Sequence, residues 1–333
     1  MTSILTNLAA MSALQTLRSI GSSMEDTQAR VSSGLRVGEA SDNAAYWSIA
    51  TTMKSDNMAL SAVSDALGLG ASKIDTAYAG MESAIDVVKE IKAKLVTATE
   101  EGVDKAKVQE EITQLQGQLK SIADSASFSG ENWIAGGTNT MAGGAPVNVT
   151  VVSGFVRDAN NNVAVKTTSY TLDATTAGSM TLLFGGNADG AIDTASGILG
   201  TNASAFTTTD FDASDAAVTG AASAVSGMSV YSLNITGFNG AAMAEALTLV
   251  DAALAYMTSA GADLGSISMR IDLQEDFVNK LSDSLDSGVG RLVDADMNEE
   301  STRLKALQTQ QQLAVQSLSI ANSSSEVILS LFR

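Results

Sequence analysis

The sequence predicts a mostly α-helical protein: a long coiled-coil-like bundle formed by the N- and C-terminal segments, with a small β-containing insertion in the middle. Three observations predict it. Apolar residues recur at alternating three- and four-residue steps through roughly the first 130 residues and again from residue 240 to the end. Between these stretches the helical period fails, and 13 of the chain's 28 glycines and its only proline, Pro146, lie in 141–240. Inside that middle stretch valines alternate with polar residues, which is the period of a strand.

Taken in order, Ala10, Ala13, Leu17, Ile20, Met24, Thr27 and Val31 form a heptad seam with one polar lapse at Thr27. Gly34 and Gly38 break it, since glycine adopts backbone angles that end a helix. A second helical region runs from about 42 to 101 and places Met81, Ile85, Val88, Ile91 and Leu95 on one face. Glu101-Gly102 interrupts it, and Asp104 is placed to cap a third helix carrying Val108, Ile112, Leu115, Leu119, Ile122 and Ala126. Val147, Val149 and Val151, a turn-rich 157–162 segment, then Val163 and Val165 onward to Leu172 read as a β-hairpin. Further short strands are expected at 179–184 and 229–236. Helical spacing resumes with Met243, Leu247, Val250, Leu254 and Met257. It continues through Leu264, Ile267, Ile271, Gln274, Val278, Leu281 and Leu285, with an interruption expected at Gly288 and Gly290. The last helix has a wide apolar face: Leu304, Leu307, Ala314 and Leu318, with a second stripe at Leu313, Ile320 and Val327. Neither terminal helix can bury its stripe alone, so the two are expected to pair with each other and with copies of themselves.

Charge follows the same division. The chain carries 37 acidic and 19 basic side chains, net −18. Residues 1–40 are net 0 and 290–333 net −1, so the interior carries the remaining −17. Charge is costly to bury and harmless on a solvated face, so the ends read as buried in something and the middle as facing water. On this ground the seams at 10–31 and 304–328 are expected at subunit interfaces, and those at 108–126 and 264–285 in the chain's own core.

Composition closes off several functions. The chain has no histidine and no cysteine, which removes the usual zinc sites, Ser-His-Asp and Cys-His nucleophiles, thiol redox chemistry and disulfides. Neither catalytic residues nor a cofactor is expected. The acidic balance opposes binding to nucleic acid or to anionic lipid. No apolar run approaches a membrane span, and the N-terminus lacks the basic start of a signal peptide. The acidic loop at Asp210, Asp212 and Asp215 lacks EF-hand spacing and reads as solvated loop more readily than as a calcium site. Asn148-Val-Thr150 and Asn234-Ile-Thr236 match the glycosylation pattern, a three-residue match of little weight.

Residues 30–50, RVSSGLRVGEASDNAAYWSIA, resemble a signature segment of bacterial flagellin: Ser32–Arg36, the pair Asp42-Asn43, Ala44-Ala45, then Ile49-Ala50. The C-terminal 43 residues resemble the other end of that family through Asp294–Asp296, the Gln-rich 308–312 stretch and the closing Leu329–Arg333. The resemblance covers roughly 1–135 and 240–333 and omits the middle. It implies an extracellular filament subunit for swimming, exported through the flagellar type III channel. It implies self-assembly into a homo- or hetero-polymer with other flagellins, with an export chaperone, filament cap and hook-junction proteins as partners. It assigns 1–40 and 292–333 to an inner-tube coiled coil, 41–140 and 240–291 to an outer helical tube, and 141–239 to a variable surface domain. The alternative is a hook–filament junction protein, which would share the terminal seams and form short rings. The flagellins that carry a metallopeptidase need a His-Glu-x-x-His helix, which a chain without histidine cannot supply.

On this reading filament assembly falls to Leu17, Ile20, Met24, Val31, Leu304, Leu307, Leu313, Leu318, Ile320 and Val327. The joint between inner and outer tubes falls to Arg30, Gly34, Leu35, Arg36, Asp42 and Asn43. Arg30 and Arg36 either pair with acidic residues of a neighbouring subunit, such as Asp294 or Asp296, or remain solvated charge of little worth. Departures from the family are Tyr46-Trp47, where it has small or aliphatic residues, and Ser323–Ser325, where it has a proline. These and the N-terminal opening look most like alphaproteobacterial, rhizobium-like flagellins. Where flagellins seen by the vertebrate innate receptor carry Arg-Glu-Leu, this chain has Lys89, Glu90 and Ile91. Lysine lacks arginine's planar fork, so weak receptor activation is expected.

Overall fold

The computed structural model describes residues 7–331 except 137–145, 159–161, 177–178, 187–190, 203–224 and 226, and gives no side-chain surroundings from 324 onward. The Asp210, Asp212 and Asp215 loop therefore lies outside the described residues. Five helices account for most of the chain: α1 (Leu8–Ser33), α2 (Ala44–Ala98), α3 (Lys105–Ser125), α4 (Gly240–Val293) and α5 (Met297–Leu331). Three two-stranded antiparallel pairs lie between α3 and α4. They are β1 (Ser127–Phe128) with β2 (Glu131–Asn132), β3 (Val147–Arg157) with β4 (Val163–Leu172), and β5 (Gly185–Gly186) with β6 (Ile192–Asp193). The chain divides into two compact units, residues 1–59 with 280–333 and residues 60–279.

The helix ends follow the expected chemistry. Asn7 caps α1, its side-chain oxygen accepting from the Ala10 amide, and Asp104 caps α3 by accepting from Ala106. Each satisfies one amide that has no carbonyl within the helix. Gly34 ends α1 in the left-handed region at φ +74°. Gly38 does not adopt that conformation, so of the two glycines only Gly34 acts as the breaker.

In the unit of 60–279, α2 and α4 run antiparallel: Lys92 pairs with Asp251, and further back along α2 Asp75 accepts from Ser268. The predicted seams form its core. Met81, Val88, Ile91 and Leu95 of α2 are buried, as are Ile112 and Leu119 of α3 and Met243, Val250, Met257, Leu264, Ile267 and Ile271 of α4. An 18-residue window of α4 has a mean hydropathy of 1.3, enough to resemble a membrane span, but half of it is buried in this core. The hairpin β3–β4 has the predicted arrangement, with a register shift between Val152 and Gly154.

Two expectations are corrected. Residues 179–184 and 229–236 are apolar enough for strands but do not form them. Leu182, Leu183 and Phe184 are buried, yet the amides of Thr181 and Leu182 go to the Asp173 carbonyl and that of Leu183 to Ile134. Val230 and Leu233 are buried too, but their carbonyls accept from the side-chain amide of Gln116, itself buried on α3. Gln109 donates to the Leu233 carbonyl and accepts from the Ile235 amide. Side-chain amides thus do the work of a neighbouring strand, which satisfies these backbone groups without a sheet. The second correction concerns α4, which runs through Gly288 and Gly290 to Val293 without a break. A Cβ at Gly288 would lie 2.9 Å from the terminal methyl of Met53 on α2, the mobile end of a flexible side chain that can move aside.

The terminal helix pair and its joint as candidate functional site

The unit of 1–59 with 280–333 holds nearly all the residues singled out for assembly. α1 lies antiparallel along α5. Asn7 at the start of α1 donates from its side chain to the Ala321 carbonyl late in α5. Arg30 near the end of α1 meets Glu300 early in α5 at 3.5 Å. The seam residues Leu17, Ile20, Met24 and Val31 are half-buried and Thr27 is fully buried, while most residues on the other faces of α1 are exposed. On α5, Leu304, Leu307, Ala314 and Leu318 are half-buried. The α1 seam is therefore directed at the chain's own C-terminal helix.

The second stripe behaves differently. Leu313 and Ile320 are 59% and 68% exposed, and Val315 beside them is 53% exposed. On α1, Leu8, Met11 and Leu14 stand at three-residue steps and are exposed as well. Between the helices runs a groove of about 640 Å³ lined largely by small residues, such as Ala9 and Ala13 of α1 and Ala314 and Ser317 of α5, together with the larger Ile20, Gln310 and Leu313. The side chain of Val327 lies outside the described residues. The sequence reading grouped the two stripes of α5 together; only burial separates the stripe closed by α1 from the one left open.

The joint is built by backbone. The amides of Arg36 and Val37 both donate to the Val293 carbonyl, and the Ala295 amide donates to the Gly34 carbonyl. Leu35 forms an isolated antiparallel bridge with Asp294. Beneath lies a small apolar core of Val37, Ala50, Val289 and Val293, flanked by Leu35, Met53 and Leu292. Asn57 of α2 bonds both Ser282 and Asp286 of α4, which fixes the helices on the far side of that core. Asp42 accepts from the amides of Gly38 and Glu39, and these two bonds, with the charge of Arg30, hold its carboxyl below the ordinary value. Asn43 then caps α2, accepting from the amides of Ala45 and Tyr46.

Both arginines have partners within the chain. Arg30 pairs with Glu300 of its own chain, and Arg36 donates to the Leu292 carbonyl. Neither needs Asp294 or Asp296, whose neighbourhood is already tied by backbone bonds. Glu300 was missed in the sequence because an acidic residue in the first turn of a helix is ordinary. It is only 7% exposed, and one of its carboxylate oxygens has no hydrogen-bond partner.

Both halves of this unit fall in recognised family regions. Residues 4–139 match the bacterial flagellin N-terminal helical region, and residues 247–332 match the bacterial flagellin C-terminal helical region. The chain belongs to the bacterial flagellin family. Flagellin B of Rhizobium meliloti is 56% identical over 399 aligned residues, with both chains covered in full. Flagellin C of Rhizobium meliloti (strain 1021) is 51% identical over 339 residues, and the flagellin of Brucella melitensis biotype 1 is 42% identical over 334, again in full. This flagellin is accordingly rhizobial in type, a structural subunit of the extracellular flagellar filament. In the segment Lys89–Ile91, Lys89 and Glu90 are exposed, with Lys89 paired to Asp86 at 3.0 Å, and Ile91 is buried in the core. Tyr46, Trp47 and Ile49, next to the joint, are 43%, 39% and 50% exposed.

Proposed function

We propose that the α1–α5 pair is the assembly element of this flagellin, and that the stripe left open on the pair carries the contact with the next subunit. The observation behind this is the split of the apolar surface. One seam is closed within the chain, while Leu8, Met11 and Leu14 of α1 and Leu313 and Ile320 of α5 stand exposed, Leu313 at the edge of the groove between the helices. The exposed side chains at the start of α1 and that groove are unlike surfaces. When one seats in the other the contact is head-to-tail, and such a contact grows into an open helix when its rotation does not close. Terminal segments that order on binding add a cost in conformational entropy, so growth at an existing end is favoured over nucleation.

On this reading, residues 1–40 and 292–333 line the inner tube, 41–140 and 240–291 the outer tube, and 141–239 the surface. Arg30, Gly34, Leu35, Arg36, Asp42 and Asn43 set the joint between the first two. The subunit travels unfolded through the type III channel, with a chaperone, the cap and hook-junction proteins as transient partners, and it copolymerises with other flagellins. It acts mechanically, with no catalytic step. The test is Ile320→Asp, since Ile320 is exposed and its replacement leaves the monomer fold intact. Purified variant seeded with filament fragments should give no long filaments by negative-stain microscopy while its circular dichroism matches wild type. Normal filaments would sink the assignment, and short closed rings from the wild-type protein would favour a junction role instead.

A further inference from the structure

The unit of 60–279 contains a cavity of about 580 Å³ between strand β4, the segment after it, and helix α4. Its floor is apolar and buried: Tyr170, Met180, Tyr256 and Ile267. Its rim is polar and exposed: the hydroxyls of Thr171, Ser179 and Ser266 donate to Asn148, to Asp173 and to the Asp263 carbonyl and keep lone pairs to accept with, and Ser259, Asp263 and Arg270 complete it. Tyr170 is 8% exposed, and its hydroxyl makes no hydrogen bond of proper geometry to the protein, although the Thr181 hydroxyl is near enough to act on it. The Thr181 hydroxyl gives its one proton to the Thr171 carbonyl and accepts from the Asp173 amide, which leaves at most one lone pair for the phenol. A buried phenol left so is costly unless something else satisfies it. Its ring cannot easily turn away, because Trp133 stacks on it with centroids 6.4 Å apart and planes 17° apart. Asp263 stands close enough for its charge to disfavour ionisation of that phenol. Asp263 enters no ion pair among the described residues, and Arg270 has only a 3.5 Å contact with Thr168.

We propose that this cavity binds a neutral sugar unit, seated with its C–H face on the apolar floor and its hydroxyls on the rim. The shape of the polarity carries the argument. An apolar platform ringed by hydroxyls suits a molecule with one apolar face and a perimeter of O–H groups, and the volume lies within the usual range for small-ligand sites, roughly 300–1,000 Å³. Asp263 would accept from two neighbouring sugar hydroxyls, Arg270 would donate to a third, and the Tyr170 hydroxyl would gain the partner it lacks. Aspartate and arginine cancel at the rim, so the site has no local charge to overcome the repulsion that a chain of net −18 exerts on anions. That favours a neutral hexose over a uronate.

The full chain as monomer, in a Trp47→Phe background, leaves Trp133 as the only indole. Methyl α-glucoside, methyl β-galactoside and galacturonate are added at millimolar concentration, and binding is read by saturation transfer and by the Trp133 indole resonance. At least one neutral glycoside is expected to bind and shift that resonance. Tyr170→Phe and Asp263→Asn should each weaken it about tenfold or more, while Tyr170→Phe leaves the melting temperature unchanged or raises it, since the lost hydroxyl had no partner. No response to either neutral glycoside, binding of galacturonate alone, or equal binding by both variants would overturn the proposal. Filament assembly can succeed or fail independently of these readings.

Discussion

The same substitution placed at two glycines of one helix should move stability in opposite directions. Gly34 and Gly21 both belong to the α1 segment, and a Cβ added at either would meet nothing within 4 Å. Contact therefore plays no part, and only backbone conformation differs. Gly34 sits at φ +74°, whereas Gly21 lies inside the right-handed helix. An L-residue forced into the left-handed region loses about 1–2 kcal/mol, partly offset by the smaller entropy of the unfolded alanine chain, for a net cost of about 1 kcal/mol. Gly21→Ala should instead gain about 0.8–1 kcal/mol from helix propensity. The two variants thus stand about 2 kcal/mol apart, near 30-fold in an equilibrium constant. Amide hydrogen exchange on the monomer reads this locally. The Ala295 amide bonds the Gly34 carbonyl, and the Arg36 and Val37 amides bond Val293. In Gly34→Ala these three should exchange about fivefold faster, and in Gly21→Ala the amides of α1 should slow by a similar factor. Gly38→Ala should change little. Unchanged or slower exchange at Ala295 in Gly34→Ala would refute the argument that the turn depends on left-handed backbone.

Other outcomes follow from the same structure. Gln116→Leu keeps much of the side-chain volume but orphans the Val230 carbonyl, Leu233 still being served by Gln109; urea denaturation should show a loss of about 1–3 kcal/mol. Arg30→Ala leaves the buried Glu300 carboxylate unpaired and should cost about 2 kcal/mol by the same assay, whereas Glu300→Gln should cost less or nothing, because it removes the charge that needed compensation. Glu131 is held below its ordinary value chiefly by the bond from Lys73. A depressed carboxyl contributes stability that is fully present above its unfolded value near 4.5 and is lost as pH falls through the lower folded value. Glu131→Gln should therefore lower stability at neutral pH and flatten the acid limb of the stability curve, the two curves converging at the lowest pH.

The helices were legible because their period was strong and their ends carried chemistry: Asp104 and Gly102 between α2 and α3, and Gly34 after α1. The β3–β4 hairpin was legible because Val147 to Val151 alternate and a polar turn follows. What failed was local in a different sense. Residues 229–236 have strand-like apolarity, but Gln109 and Gln116, more than a hundred residues earlier, take their carbonyls. No window of sequence contains that information. Gly288 and Gly290 looked like a helix break because a glycine inside a helix and a glycine in a left-handed turn are the same letter. The separation of Leu304, Leu307 and Leu318 from Leu313 and Ile320 was invisible for a similar reason, since both stripes are apolar and only the position of α1 distinguishes them.

That position also changes what the near-neutral ends imply. Charge alone could not say whether the ends were neutral because they pack on each other or because they pack on copies. Self-packing accounts for only part of the apolar surface. α4 leaves Met269, Leu273 and Phe277 exposed too, but had intramolecular pairing been the whole reason, the outward faces of α1 and α5 would be free to be wholly polar. Instead Leu8, Met11, Leu14, Leu313, Val315 and Ile320 occupy them, at exposures of 38% to 68%. Exposed apolar side chains gathered on one helix pair mark a binding face, and in a family of polymerising subunits the available partner is another copy. The net charge of the terminal segments stays near zero because unbalanced charge on those faces would have to be desolvated each time a subunit is added.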